Sequence, residues 1–333
     1  MKSYAFITGG LGLIGSMISR KLLENNIVEK VVILDHYGRY VSSLRDDFID
    51  YRKYRIKGIE SKLIIERGEA KYPLLMAEII SKYKPSYIFH LAALPLAKLD
   101  NLNSAEAMEG SVLSTANIIE ICGILKKSTG YFPKRFVYAS SSMVYGDFNY
   151  SPADELHPTV PKEIYGTMKL AGEIITKGLA NYYDIPFSII RPSAVFGPTD
   201  MNRRVSQIFL EKAIAKETII VQGEDEALDF TFVEDTANGF ILSAIKDGGI
   251  NEVFNITHGK AHTLLDYVNE LKIYFPDLKY KVEKRDDFRP KRGTLSINKA
   301  KDLLGYKPEF SFSVGIKRQV EFAKKHYSDL KKK

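Results

Sequence analysis

Tyr4-Ala5-Phe6-Ile7-Thr8-Gly9-Gly10-Leu11-Gly12-Leu13-Ile14-Gly15 is the stretch that decides the fold. An apolar run of strand length stops at a glycine cluster. It resumes with apolar residues at Leu13, Ile14, Met17, Ile18, Leu22 and Leu23, a helical periodicity. The segment predicts a strand, a tight turn and a helix that opens at Leu13 and Ile14. Glycines at positions 9, 12 and 15 let such a turn fold tightly, admit a pyrophosphate against its backbone and pack the helix onto the strand, with the phosphate at the positive helix N-terminus. A second apolar strand, Val31-Val32-Ile33-Leu34, ends in Asp35, 20 residues beyond Gly15. A carboxylate at that distance suits the hydroxyls of an adenosine ribose and repels a 2'-phosphate. NAD is therefore favoured over NADP, with Arg39 the nearby group that would pair with a phosphate.

The chain has 333 residues, 45% of them hydrophobic, enough for a sizeable core in one large domain or two ordinary ones. Its longest largely apolar stretch, Tyr87 to Ala97, is interrupted by His90 and Pro95 and is too short to span a membrane. The start of the chain does not read as a signal peptide. The expectation is a cytoplasmic protein with no membrane partner. The single cysteine, Cys122, sits in an apolar helical pattern and reads as a buried thiol. No His and Cys spacing suggests a metal site. The net charge of +7 comes from scattered bases, which argues against nucleic acid and for a Lys-rich surface, with room for a groove that takes a small anion.

Along the chain, Lys62 to Glu66 reads as a strand ending at Gly68-Glu69-Ala70, where an acid at the carboxyl edge can accept from an adenine amino group. Leu74 to Tyr83 reads as a helix. Tyr87 to Ala93 reads as a buried strand whose small-residue end, Leu91-Ala92-Ala93, lets backbone approach a cofactor. A long helical pattern spans Ser104 to Lys127, and the strand Arg135 to Ala139 leads into Ser140-Ser141-Ser142. A second long helix runs from Lys162 to Tyr183, and the strand Phe187 to Ile190 leads to Arg191-Pro192. This alternation predicts an α/β fold with a doubly wound, parallel Rossmann-type sheet. After Arg191 the elements shorten. The sequence thus suggests residues 1–190 as a cofactor domain and 191–333 as a smaller α/β substrate lobe, some of whose segments return to the first.

Tyr165 and Lys169 are four residues apart and so share one helix face. A phenol is a poor base at neutral pH, but a nearby ammonium and a nicotinamide cation favour its phenolate. Tyr165 can then take a proton from a substrate hydroxyl. Ser141, at a neighbouring strand end, can hydrogen-bond the same hydroxyl.

These stretches, together with His90-Leu91-Ala92-Ala93, Val144-Tyr145-Gly146, Phe196-Gly197-Pro198, Asp229 to Asp235, Arg289-Pro290 and Leu303 to Pro308, resemble the extended short-chain dehydrogenase/reductases. Within these the resemblance is to the NAD-dependent nucleotide-sugar epimerase/dehydratase family, over nearly the whole chain. It implies Tyr165 as the base, with Lys169 on the nicotinamide ribose lowering the tyrosine pKa, and Ser141 on the sugar hydroxyl that is oxidised, usually at C4. Asp35 falls on the adenosine ribose and Glu69 near the adenine. Arg289 falls on the diphosphate, assisted by Arg203, Arg204 and Arg292; Ser142 lies beside the substrate. Dehydratases of the family carry acids at the positions held here by Ser142 and Met143, so elimination of water is not expected. Ala194 and Leu228 also depart from the family pattern, which leaves the carrier open among UDP, GDP, CDP and ADP. The reading is a nucleotide-sugar 4-epimerase. The alternatives are a net C4 dehydrogenase and a non-catalytic NAD-binding protein. The two long helices resemble those that pair across a two-fold axis, which implies a homodimer.

Overall fold

The structure, a computed structural model, describes residues 3–37, 50–92, 104–201 and 204–330. Its first half alternates β1 (Tyr4–Thr8), α1 (Leu13–Glu24), β2 (Lys30–Asp35), α2 (Arg52–Ile56), β3 (Leu63–Arg67), α3 (Pro73–Tyr83), β4 (Tyr87–His90), α4 (Ser104–Met108), α5 (Ser114–Thr129), β5 (Arg135–Ala139), α6 (Ile164–Tyr183) and β6 (Phe187–Pro192). Then come β7 (Val195–Phe196), α7 (Val205–Ala215), β8 (Ile219–Gln222), β9 (Ala227–Leu228), β10 (Thr231–Phe232), α8 (Val233–Ile245) and β11 (Glu252–Ile256). The chain closes with β12 (His262–Thr263), α9 (Leu264–Tyr274), β13 (Tyr280–Glu283), α10 (Asn298–Leu304) and α11 (Phe312–Leu330).

Seven strands form one parallel sheet in the order β11-β6-β5-β4-β1-β2-β3. Both faces are covered, which is why β1 and β2 read as unbroken apolar runs. Side chains alternate across the sheet. Ala5, Ile7, Val31 and Ile33 pack with α1, α8 and α10, whereas Phe6, Val32 and Leu34 pack with α3, α5 and α6. Strand order reverses between β1 and β4, so a crevice opens at their carboxyl ends, where a ligand is expected in an open α/β sheet.

Helices α8 and α10 and strand β11, although late in the sequence, belong to this layer. Another core gathers Phe196, Phe209, Leu210, Ile219, Val221, Phe230, Tyr267, Phe312 and Val320 from α7, α9, α11 and the strands β7 to β10. The two-stranded pairs β10-β7, β12-β9 and β13-β8 frame it.

The sequence reads one helix over Ser104–Lys127. The structure breaks it with a π-helical segment, Glu109–Leu113, and carries it on to Thr129, where Gly130 at φ 74° ends it. The final helix, α11, starts at Phe312. Among the described residues Ser104–Thr129 is the one helical stretch long and apolar enough to cross a membrane, and half of it is buried where α5 packs against α3 and α6.

Candidate active site

The glycine turn is built by close backbone approach. Gly9 has φ 68° and its amide donates to the Leu34 carbonyl at 2.8 Å, while the Gly12 amide donates to the Gly9 carbonyl at 3.0 Å. A Cβ on Gly15 would sit 2.7 Å from the Gly9 oxygen, and one on Gly9 would sit 3.1 Å from the Ala92 nitrogen. Side chains at these positions would fill the cradle, so glycine is required here. Gly12 precedes the first turn of α1, at Leu13 and Ile14, so the free amides and positive end of the helix face the crevice. Asp35 Oδ2 accepts the Leu11 amide at 3.1 Å and Oδ1 the Tyr37 amide at 2.9 Å, which fixes the carboxylate at the crevice edge.

One cleft of about 1590 Å³ is lined by Gly9, Gly12, Leu13, Ile14, Gly15, Asp35, Glu69, Ala70, Leu91 and Ala92, and also by Ser141, Ser142, Tyr165, Lys169, Arg204 and Arg289. One cleft thus gathers every described residue that the sequence singled out for the cofactor, the chemistry and the substrate. Ala93, like Arg39 and Arg203, lies outside the described residues. Glu69 also pairs with Lys71 at 3.2 Å, and Lys71 with Glu109 at 3.0 Å, closing the edge of the cleft nearest Ala70.

At its other end the cleft is floored by α6 and the end of β5. The Lys169 ammonium donates to the Ala139 carbonyl at 2.6 Å and lies 5.8 Å from the centre of the Tyr165 ring. Burial, abetted by the Arg204 cation and opposed by Glu173, pulls Lys169 down to about 7. The Tyr165 phenol is within hydrogen-bonding reach of Ser141, whose Oγ accepts the Met143 amide at 3.2 Å. Burial raises the Tyr165 pKa above the usual tyrosine value, and Arg204 and Ser141 pull it back. Arg204, at the head of α7, is a cation that offsets the burial of Tyr165, and its part in the site was not read from the sequence spacing that joins Tyr165 to Lys169.

Ser142 is 1% exposed and its Oγ has no hydrogen-bond partner among the described residues. Arg289 stands 3.7 Å from Asp286. Arg285 donates to its carbonyl and pairs with Glu226 at 2.6 Å. Arg292 lies deep in the same corner, its guanidinium pKa lowered by burial. Asp286, Phe288 and Gln222 complete this basic mouth.

Two buried polar clusters support the site. His90, at the end of β4, is fully buried and satisfied at both ring nitrogens, with Nδ1 2.7 Å from Thr8 Oγ1 and Nε2 3.2 Å from Ser114 Oγ. Thr8 Oγ1 in turn accepts the Ala92 amide at 3.1 Å, so the ends of β1 and β4 are tied together under the crevice. Burial pushes His90 down to about 3; it is a neutral hydrogen-bonding strut. The second cluster joins Glu173 to Arg191 at 2.7 Å and to Ser140 at 2.5 Å. A signal for it was present, since Glu173 follows Lys169 by one more helical turn.

A Rossmann-type sheet, a glycine cradle at its switch point and a serine, tyrosine and lysine on the facing wall define a dinucleotide-dependent enzyme class acting on alcohols or ketones. Residues 5–257 match the model of the NAD dependent epimerase/dehydratase family, and the chain belongs to that family. A relative described as a putative UDP-glucose 4-epimerase, from Methanocaldococcus jannaschii, is 31% identical over 96% of this chain and 97% of its own length. Among solved structures, the UDP-glucose 4-epimerase of Thermotoga maritima with UDP-glucose superposes with a TM-score of 0.83. It is 25% identical and covers 97% of this chain and 99% of that one. The UDP-glucuronic acid 4-epimerase of Bacillus cereus, in complex with UDP-glucuronic acid and NAD, shares the fold with a TM-score of 0.86 at 22% identity, covering 97% and 100% of the two chains.

Proposed function

We propose that the protein inverts C4 of a nucleotide-diphosphate sugar by way of a 4-keto sugar, using NAD. The observation that carries the reading is the meeting of Ser141, Tyr165 and Lys169 with the glycine cradle in one cleft. The cradle fits a dinucleotide. Its three glycines leave no side chain where the pyrophosphate would approach, Asp35 presents a fixed carboxylate for ribose hydroxyls, and the head of α1 faces the same space. Glu69, Ala70, Leu91 and Ala92 line the remainder of that half, and Lys169 would reach the nicotinamide ribose. When bound, NAD supplies the hydride acceptor and donor.

Tyr165 takes the proton of the sugar C4 hydroxyl and returns it, and Ser141 orients that hydroxyl by hydrogen bonding to the same oxygen. Arg204 and Lys169 are the cations that favour the phenolate in a site where burial opposes it. Arg289, aided by Arg285 and Arg292, holds the diphosphate, since a guanidinium fork matches phosphate oxygens in pairs. Ser142 and Met143 supply no acid or base for elimination, which favours epimerisation over dehydration. With this reading go a division of labour near residue 190, a cytoplasmic location in keeping with a lone buried cysteine, and a homodimer. Ile124 on α5 and Ile174 and Tyr182 on α6 are 57%, 63% and 72% exposed, an outward apolar face suited to a second copy.

The test is a panel of UDP-, GDP-, CDP- and ADP-sugars incubated with protein and NAD in deuterated water and followed by NMR. Inversion at C4 without solvent deuterium there and without net NADH is expected. Accumulation of a 4-keto sugar with stoichiometric NADH would replace epimerisation by net oxidation, and turnover of nothing in the panel would overturn the reading.

A further inference from the structure

Beneath the catalytic wall lies a polar cluster that the reaction itself does not use. Glu173 is 1% exposed, and both of its oxygens are engaged. Oε1 accepts from Ser140 Oγ at 2.5 Å and from Arg191 Nε at 2.8 Å, and Oε2 accepts from Arg191 Nη2 at 2.7 Å. Arg191 also donates to the Tyr145 hydroxyl at 3.0 Å, which donates to Asn255 Oδ1 at 2.7 Å. The cluster therefore locks α6 to the ends of β5, β6 and β11.

Its place relative to the active site is set by two periodicities. Tyr165, Lys169 and Glu173 follow one another by single turns of α6, so they share a face. Ala139, whose carbonyl receives Lys169, and Ser140, whose hydroxyl binds Glu173, are adjacent at the end of β5. Lys169 is 3% exposed and, among the described residues, has no carboxylate of its own at ion-pair distance. Among the described residues, the titratable and charged groups around it are Tyr165 and Glu173 on α6, Tyr138 on β5, His90 on β4 and Arg204 at the head of α7, with Arg191 on β6 held behind Glu173. His90 is neutral, and both tyrosines are protonated at neutral pH because burial raises them. Glu173 is the one anion in this set, against the cations Arg191 and Arg204.

We propose that Glu173 is a positioning residue for the reaction: clamped by Arg191 and Ser140, its carboxylate keeps Lys169 an ammonium ion seated on the Ala139 carbonyl beside Tyr165. A lysine buried among cations loses its proton readily, and a neutral amine could neither hold the Ala139 carbonyl with the same strength nor favour a phenolate at residue 165. Arg191 plays a compensating part. By pairing with Glu173 in a bidentate fork it holds the anion in place and limits how far that anion acts on Lys169. The direction in which Glu173 acts on Lys169, opposing the loss of its proton, agrees with this geometry.

The proposal rests on the roles given above to Tyr165 and Lys169, and its test reads Lys169 directly in the protein without added ligand. Lysine-selective 13C NMR, with the Lys169 signal assigned by its disappearance in Lys169→Arg, gives the protonation midpoint. Glu173→Gln is expected to lower that midpoint by about one pH unit or more. Arg191→Gln, which frees the carboxylate, should raise it, and the double variant should return it close to wild type. In the active enzyme the alkaline limb of kcat should move in the same order. A purely structural cluster gives no such reversal of sign; should Arg191→Gln fail to fold, a lowered midpoint in Glu173→Gln supports the inference and an unmoved one overturns it. An unmoved midpoint, or shifts of the same sign in both, overturns the inference while leaving the epimerase reading intact. Failure of the wild-type protein on the whole nucleotide-sugar panel removes that reading, and this role for Glu173 with it.

Discussion

The two ends of the cleft are constructed differently. The cradle end is local: β1, its turn and the head of α1 supply Gly9, Gly12 and Gly15 within one short stretch, and Asp35 follows on the adjacent strand β2. The substrate end draws Ser141 and Ser142 from the end of β5, Tyr165 from α6, Arg204 from the head of α7 and Arg289 from the segment after β13. Local backbone geometry specifies the first. Tertiary packing brings the second together from several elements. A glycine cradle is thus readable from spacing, whereas the charges around Tyr165 are readable only once distant segments are in place.

The sharpest way to break this contrast is Tyr165→Phe, which keeps the ring and removes the proton acceptor. Turnover should fall by about 10²- to 10⁴-fold, the usual contribution of a positioned acid or base, with NAD affinity nearly unchanged by calorimetry. A comparable loss of NAD binding would mean that the two ends are not separable. At the cradle, Gly15→Ala puts a Cβ 2.7 Å from the Gly9 oxygen. Such overpacking costs about 1–3 kcal/mol, to be seen as a lower Tm and weakened NAD binding together.

Arg289→Ala should raise KM for the nucleotide sugar by about tenfold or more, the worth of a charged hydrogen bond, with a smaller change in kcat. Equal loss in both parameters would move Arg289 from holding the diphosphate toward the reacting centre. The strut under the crevice makes a pH prediction. His90 is held neutral down to about 3, whereas the unfolded chain binds that proton below about 6.5. Its contribution to stability is therefore present above about 6.5 and lost as pH falls from there toward 3. His90→Gln should flatten this part of the stability curve measured by urea unfolding. The smallest effect belongs to Ser142→Ala. Its hydroxyl is buried with no partner among the described residues, so removal should leave stability unchanged or slightly raised, and any marked loss of sugar affinity would identify the hydroxyl as a substrate contact.

Much of the fold was legible because the physical signals were strong and short-ranged. The unbroken apolar runs of β1, β2 and β5 announce strands buried on both faces, and their alternation with long helical patterns leaves a parallel sheet as the economical arrangement. The recruitment of β11 into that sheet was not legible, since Glu252–Ile256 pairs with β6 across more than 50 residues of intervening chain. The same limit applies at the site. Tyr165 and Lys169 are joined by helix periodicity and could be read together, but the action of Arg204 on Tyr165 depends on where α7 begins in space. The pairing of Glu173 with Arg191 likewise depends on α6 lying against β6. The partners of His90, Thr8 and Ser114 on other elements, were not legible either, because a histidine at a strand end carries no sign of what it bonds. The π-helical interruption at Glu109–Leu113 left no mark in the apolar periodicity.

The central claim is that a single cleft holds the cofactor and presents the Tyr165 hydroxyl to one alcohol of a sugar. A crystal structure of the protein with NAD and a bound nucleotide sugar tests it most directly. The account predicts the Tyr165 oxygen within about 2.6–3.2 Å of the C4 hydroxyl, with Ser141 on the same oxygen. A sugar bound with that hydroxyl turned away from residue 165, or a dinucleotide seated elsewhere than on the Gly9–Gly15 turn, would contradict it.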